Sequence, residues 1–429
     1  MKKFGFMRKK GISFLLALSF LLLLTTSFMG CSNSDDNSDV SSFSAETRAD
    51  FTTAVDAALA AATNKRGISV AVYKDGYKMW TYAAGYADGD YAAATGTAMT
   101  PDTPTFAYSI TKTFISALIL KHIEEGRYSL TDTVESLLGS NADYMALSAP
   151  KKALLNTNAT VEQLLTHTSG MLDYAANLPG EIAMCDPAYT TWKPVDILEN
   201  LVYQPLGVPG TFHYSNTNYV LLGMIAQEHS VGKLPLNTLL KNTFFNRLGI
   251  DAILAPQDVF PPADIAHPYD DAVVFGFPGV PLGSFMDFSV AIKNVDPTYD
   301  LYLGIGKGTW AAGGIIATAA NLAKWGHALY DDKGAAVTPT VRTTLKNSAT
   351  TDGAYGYGIN YNDFTYTDST IGGEYSHGGS APGYRTLLVY EKAKGITVAI
   401  ITNVNNSATG TGLIDQWALA EGIFNAYKK

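Results

Sequence analysis

Residues 67–85, GISVAVYKDGYKMWTYAAG, alternate β-branched and aromatic residues on either side of Asp75-Gly76, a dipeptide suited to the positive φ angles of a tight hairpin turn. The period of two predicts two antiparallel strands. Just upstream, residues 46–62 (ETRADFTTAVDAALAAA) place apolar residues at helical spacing with a polar opposite face, which predicts a surface helix. Far downstream, YRTLLVY (384–390) and ITVAIIT (396–402) flank the short connector EKAKG, and residues 413–428 (LIDQWALAEGIFNAYK) return to the helical period. Strands and a helix at both ends, with helical and loop sequence between, predict an α+β fold. Its antiparallel sheet, flanked by helices, is built from residues 48–108 and 311–429, and an all-helical lobe with loops is inserted over about 109–310.

The whole chain has 429 residues, 47% hydrophobic and 16% charged, which is too apolar for disorder and long enough for a large core. The net charge of −9, with no basic stripe to follow a phosphate backbone, argues against nucleic acid as a partner. Two cysteines, Cys31 and Cys185, supply neither a disulfide framework nor a Cys-rich metal site. Lys2, Lys3, Arg8, Lys9 and Lys10 precede the apolar run from Ile12 to Leu24, which is followed by Met29-Gly30-Cys31 and the tract SNSDDNSDVSS. That order is expected of a signal peptide over 1–30 and a flexible tether over 31–47. It resembles a bacterial lipoprotein signal, implying lipidation at Cys31, attachment to a membrane face of the cell envelope, and plain secretion where the imperfect lipobox is not used.

Within the predicted lobe, Ser109 opens a strong helical pattern that ends at Gly126, and Lys112 lies one turn on, on the same face. A serine at a helix start has backbone N–H groups and a positive dipole end beside it, and a partly desolvated lysine can take its proton. The spacing alone is weak, because Ser148/Lys151 and Ser230/Lys233 repeat it. What singles out the first pair is the order of two further motifs, Tyr214-Ser215-Asn216 before a helical pattern and His377-Gly378-Gly379 before a strand. A tyrosine can relay a proton, an asparagine amide can bind a substrate amide, and a Gly-rich edge strand can offer a backbone N–H to a carbonyl oxygen. Taken singly, each has an ordinary reading: an N-cap with a solvated lysine, a packed turn tyrosine, an Asx turn, a strand bulge.

The three motifs together resemble the serine β-lactamase and penicillin-recognising hydrolase superfamily, in the branch of class C β-lactamases, D-alanyl-D-alanine carboxypeptidases, D-aminopeptidases and esterases. The resemblance runs from about residue 51 to the end. It extends to LLTHTSGM around His167, AAGGIIATAANLAKW around Gly313 and HGGSAPGYRT after His377. It implies a β-lactamase/transpeptidase-like fold. It also implies Ser109 as acylated nucleophile, Lys112 as its activating partner and Tyr214 as proton relay. Asn216, His377, Gly379 and Ser380 would bind substrate, with the N–H groups of Ser109 and Ser380 forming the oxyanion hole. No metal or organic cofactor is required; the partner is a small-molecule or peptide substrate of peptidoglycan, ester or β-lactam type.

Many β-lactamases have lysine where this chain has His377, and histidine resembles the peptidase and esterase members more. The substrate expected is therefore a D-amino-acid peptide or a related amide or ester, with β-lactamase or carboxylesterase activity as the alternative. An inactive wall-binding or sensor lipoprotein is the non-enzyme alternative. His377, mostly neutral near pH 7, is expected to be a weaker carboxylate anchor than the β-lactamase lysine, and if its protonated form helps bind a carboxylate, affinity for carboxylate substrates is expected to fall as pH rises through its pKa. His167 is expected to hold the helix end and the site floor through local hydrogen bonds, and Cys185 to be a free structural thiol rather than a nucleophile. Absence of HExxH or G-x-S-x-G patterns argues against a zinc hydrolase and an α/β-hydrolase.

Overall fold

The computed structural model describes residues 40–90, 94–189, 192–258, 264–271, 285–367, 371–407 and 409–427. The expected signal peptide, Cys31 and most of the tether lie outside the described residues. The folded unit runs from Ser41 to Lys429, so it opens earlier than the expected residue 48. Phe43 is buried against Phe51, Tyr77 and Tyr427. Ser44 caps helix α1 (Ala45–Ala61) by accepting a hydrogen bond from the Thr47 N–H.

The predicted hairpin forms strands β1 (Ile68–Lys74) and β2 (Trp80–Ala84), with Gly76 at φ +75°. After a long insertion come β3 (Ala354–Tyr355), β4 (Asn360–Thr365), β5 (Ile371–Ala381), β6 (Tyr384–Glu391) and β7 (Ile396–Thr402). They form one seven-stranded antiparallel sheet in the order β3-β4-β5-β6-β7-β1-β2. The pleat divides the side chains. Val70, Val72, Leu387, Val389, Val398 and Ile400 meet α1 and the C-terminal helix Gln416–Ala426 on one face. Ala71, Leu388, Ala399 and Ile401 face the larger core on the other. Each fully buried Val, Leu or Ile contributes about 1.5–3 kcal/mol, so the two end segments are bound to one another mainly through this sheet.

The larger core is organised around α2 (Thr111–Glu124). Its residues from Thr111 to Leu120 are all buried, and Phe114 stacks on Trp325 at 3.8 Å between ring centroids. Helix α3 (Asn216–Glu228) packs beside it and is equally apolar. The inserted lobe is not all-helical. Residues 252–254 and 105–106 pair with the two sides of 315–317 in a small sheet, and 269–271 pairs with 285–287. The segment from Leu234 to Gly314, which has no clear period in sequence, contains the helices Phe288–Val295 and α4 (Leu301–Gly313). Gly304, Gly306 and Gly308 give α4 poor intrinsic helicity. Packing overrides it, since a Cβ on Gly304 would lie 2.2 Å from Cys185 Sγ.

Candidate active site

Ser109 sits in a single 3₁₀ turn, Tyr108–Ile110, that runs straight into α2. Tyr108 holds φ at +46°, an arrangement that costs a side-chain-bearing residue about 1–3 kcal/mol and that only firm surroundings maintain. Those surroundings are the Tyr108 Oη donating to Pro382 C=O at 2.8 Å and ring contacts with Phe106 and Tyr384. One turn on, Lys112 is fully buried, and its Nζ lies 3.0 Å from Ser109 Oγ, 2.7 Å from Asn216 Oδ1 and 2.7 Å from Ala312 C=O. Tyr214 Oη donates to Ser109 Oγ at 2.8 Å. Lys112, three positions on, and Tyr214, 105 positions on, therefore converge on Ser109 Oγ, which unites the three residues expected to carry the chemistry.

Desolvation lowers the Lys112 ammonium to about 7 although the Asp173 charge opposes it, whereas burial drives the Tyr214 phenol far up. Near neutral pH Tyr214 is thus a donor and Lys112 a usable base. With Lys112 neutral, the hydrogen bonds run in one direction: Tyr214 O–H to Ser109 Oγ, Ser109 O–H to Lys112 Nζ, and the two Lys112 N–H groups to Asn216 and Ala312. Asn216 was expected to bind substrate. It lines the cavity beside Ser109; its Oδ1 also accepts from Lys112, while its own N–H and Nδ2 donate to Asp173 at 3.1 Å each. Asp173 is a site residue the sequence reading missed; no local motif marks it.

His377, Gly378 and Gly379 precede β6, which starts at Tyr384 as expected, but they themselves lie inside a further strand, β5, which is interior to the sheet. β4 leaves it at Ser376, however, so from His377 onward one side of β5 is unpaired. The ladder bond from Lys392 N–H to Gly373 C=O fixes the parity: odd-numbered residues turn their peptide groups to β6, and Gly378 and Ser380 turn theirs to the free edge. Ser380 N–H is thereby available as an oxyanion donor, while Gly379 is not. A Cβ on Gly379 would lie 2.3 Å from Ala107 C=O and 2.3 Å from Thr386 Oγ1, so this glycine lets β5 press against the turn that carries Ser109. Gly379 thus has a positioning role besides lining the open groove that contains Ser109.

The His377 expectation also changes. Burial, with Lys112 close by, holds its imidazole down to about 3. Its Nδ1 reaches Gly378 C=O at 2.6 Å, and its Nε2 meets Tyr355 Oη at 3.1 Å. Tyr355 Oη also meets His167 Nε2 at 3.2 Å, and His167 Nδ1 faces the Ser215 N–H at 3.1 Å. One set of tautomers satisfies every link. Ser215 donates to His167 Nδ1, His167 Nε2–H to Tyr355, Tyr355 O–H to His377 Nε2, and His377 Nδ1–H to Gly378 C=O. This neutral chain spans the rear of the site and bears out the bracing role expected of His167, while leaving His377 no proton with which to attract a carboxylate. Tyr355, like Asp173, has no sequence motif. By NMR of labelled histidine, His167 and His377 are expected not to titrate between pH 5 and 8, where an ordinary histidine changes charge near about 6.5; titration of either within that range would remove the chain.

Ser109 and Ser380 both line two cavities. One, of about 310 Å³, is walled mainly by apolar residues of α4 and the helix Phe288–Val295, with Asn216 and Glu181. The other, about 570 Å³ and more open, contains Tyr214, Tyr355, His377, Arg385 and Trp417. A larger cavity of about 700 Å³ contains none of the residues around Ser109 and has no part in this chemistry. Cys185 is free and buried, its thiol pushed up to about 12 by burial, which makes it a structural thiol as expected.

A hydroxyl held between a depressed lysine and a protonated tyrosine, beside an unpaired strand edge and on a sheet flanked by helices, is consistent with a serine hydrolase. The chain matches the beta-lactamase family model over residues 53–421 and belongs to that family. Among solved structures it is similar to the D-amino acid amidase of Ochrobactrum anthropi SV3 (TM-score 0.68, 20% identity, 89% of this chain and 98% of that one). It is similar as well to a D-stereospecific amidohydrolase from Streptomyces sp. (TM-score 0.65, 21% identity, 89% and 99%). An octameric penicillin-binding protein homologue from Pyrococcus abyssi shares the fold (TM-score 0.60, 21% identity, 87% and 75%).

Proposed function

We propose that this serine hydrolase cleaves amide or ester bonds of D-amino-acid derivatives through an acyl-enzyme on Ser109. The observation that carries the reading is the convergence of Lys112 Nζ and Tyr214 Oη on Ser109 Oγ, at 3.0 and 2.8 Å. Ser109 attacks the carbonyl carbon as its proton passes to neutral Lys112, and the N–H groups of Ser109 and Ser380 receive the oxyanion. Tyr214 protonates the departing amine or alkoxide, and the proton held by Lys112 restores the phenol. Water then repeats the sequence in reverse and releases the acid. The apolar cavity takes the acyl part, and the open groove under Tyr214 takes the leaving group. The substrate class is supported by the D-amino-acid amidases among the fold's solved relatives. The proposal includes export and a lipid anchor at Cys31, carried by the residues before it.

The test is intact-mass spectrometry of the domain with benzylpenicillin, beside turnover of D- and L-phenylalanine amide. Wild type is expected to gain one penicilloyl group and to favour the D-amide, and Ser109→Ala to do neither. No serine-dependent adduct and no hydrolysis of D-aminoacyl amides, D-Ala-D-Ala peptides or short esters would overturn the proposal. Rapid release of penicilloate would instead point to β-lactamase action. kcat/KM is expected to rise with pH through about 7, because Lys112 acts as a base only after losing the proton it holds at low pH. A profile flat from pH 5.5 to 8 would contradict that assignment.

A further inference from the structure

Glu181, on the short helix Leu178–Ala183, faces the 310 Å³ cavity that begins at Ser109. The rest of the wall is largely apolar, with Ile182, Phe288, Ile292, Leu301 and Ile305 opposite or beside it. The structure gives the Glu181 carboxyl no hydrogen-bond or ion-pair partner among the described residues. A carboxyl withdrawn from water without a partner is costly, and the packing of the apolar wall does not call for one. It is an acceptor aimed into the space where an acyl group on Ser109 would lie.

The charge inventory around it points to the missing partner. Among the described residues no Lys or Arg lines this cavity: Lys112, close to Asp173, is committed to Ser109, Asn216 and Ala312, Lys307, near Cys185, donates to the Asp186 and Tyr189 carbonyls, and Arg385 lines the separate open groove. Glu181 is a second carboxyl near Asp173, and the other titratable neighbours, Tyr108, Tyr174 and Cys185, are neutral at pH 7. The cavity therefore has one more acidic group than basic. In the empty cavity, burial and Asp173 lift the Glu181 carboxyl to about 8, so it waits largely protonated. A cation arriving beside it would displace that proton to solvent.

We propose that this cavity is a subsite for acyl groups that carry a free primary ammonium beside an apolar side chain, and that Glu181 pairs with the ammonium. The inference rests on the reading that Ser109 is acylated, and it sharpens that reading. Substrates with a free amine on the acyl part, such as aminoacyl amides and N-terminal residues of peptides, are favoured over those whose amine is acylated. Pairing a charged carboxylate with an ammonium in a dry cavity is a charge-assisted interaction, stronger than a neutral hydrogen bond.

The experiment compares kcat/KM for three anilides: D-phenylalanine p-nitroanilide, its N-acetyl derivative and the 3-phenylpropanoyl analogue that lacks the amine. Wild type is expected to prefer the free amine by about 10²-fold, in line with the loss when a buried charge is left unpaired. In Glu181→Gln this preference is expected to fall to within about threefold, and Glu181→Asp to recover part of it, because a shorter carboxylate keeps the charge. Equal wild-type rates on the amine and deamino substrates, or a preference untouched by Glu181→Gln, would overturn the inference while leaving Ser109 acylation standing. The wild-type comparison needs no variant and decides even if Glu181→Gln fails to fold. Absence of turnover of all three, with no penicillin adduct on Ser109, would overturn the underlying reading and this inference with it.

Discussion

Lys112→Met is expected to lower kcat/KM by about 10³-fold or more while leaving a folded protein, in keeping with the loss of a positioned general base. A thousandfold is about 4 kcal/mol of transition-state stabilisation. Methionine nearly matches the lysine stem and fills the same fully buried channel. Loss of the amine leaves Asn216 Oδ1 and Ala312 C=O without their donor, at about 1–3 kcal/mol for each group left unsatisfied. Removal of a desolvated amine offsets part of that cost. The acid limb near pH 7 should vanish with the residue, since the group that produced it is gone. Acylation by benzylpenicillin, followed by intact mass, separates chemistry from binding: a variant that acylates at the wild-type rate would show that Lys112 is not the base. Tyr214 could not replace it, because its buried phenol stays protonated throughout the working range.

Gly379→Ala is the second large effect, and it acts without touching the chemistry. The added methyl would sit 2.3 Å from Ala107 C=O and 2.3 Å from Thr386 Oγ1, and Ala107 leads directly into Tyr108 and Ser109. Either β5 moves off the turn or the turn moves off β5; both separate Ser109 from the Ser380 N–H. Overpacking of this kind costs about 1–3 kcal/mol of stability, and a displacement of about 1 Å at reacting groups can cost about 10²-fold in rate. The control is the neighbouring residue: a Cβ on Gly378 meets nothing nearer than Thr386 C=O at 3.7 Å, so Gly378→Ala should leave the melting temperature within a few degrees of wild type. Equal behaviour of the two alanine variants in thermal melts and kcat/KM would dismiss the contact as the reason for glycine.

Much of this architecture is legible in the residues. Alternation over 67–85 and 384–402 encodes strands that bury one face against α1 and the C-terminal helix, and period-two patterns survive because each side chain meets its own layer. The helix over 301–313 was not legible, because its glycines weaken helix propensity and at least Gly304 is required by contact with Cys185. The Ser109, Lys112 and Tyr214 set was legible because motif order constrains chemistry strongly. Asp173, Tyr355 and Glu181 were not, since each acts across the site from a segment whose local pattern resembles ordinary loop or short helix.

Sequence alone thus marked four of the seven sheet strands, β1, β2, β6 and β7, and the residues proposed as nucleophile and proton-handling partners, Ser109, Lys112 and Tyr214; β3, β4 and β5 carried no such alternation. Tertiary structure decided their protonation. Lys112 and His377 are shifted down and Glu181 up only because folding strips water from them and sets particular neighbours around each, and desolvation belongs to the assembled site rather than to any stretch of chain.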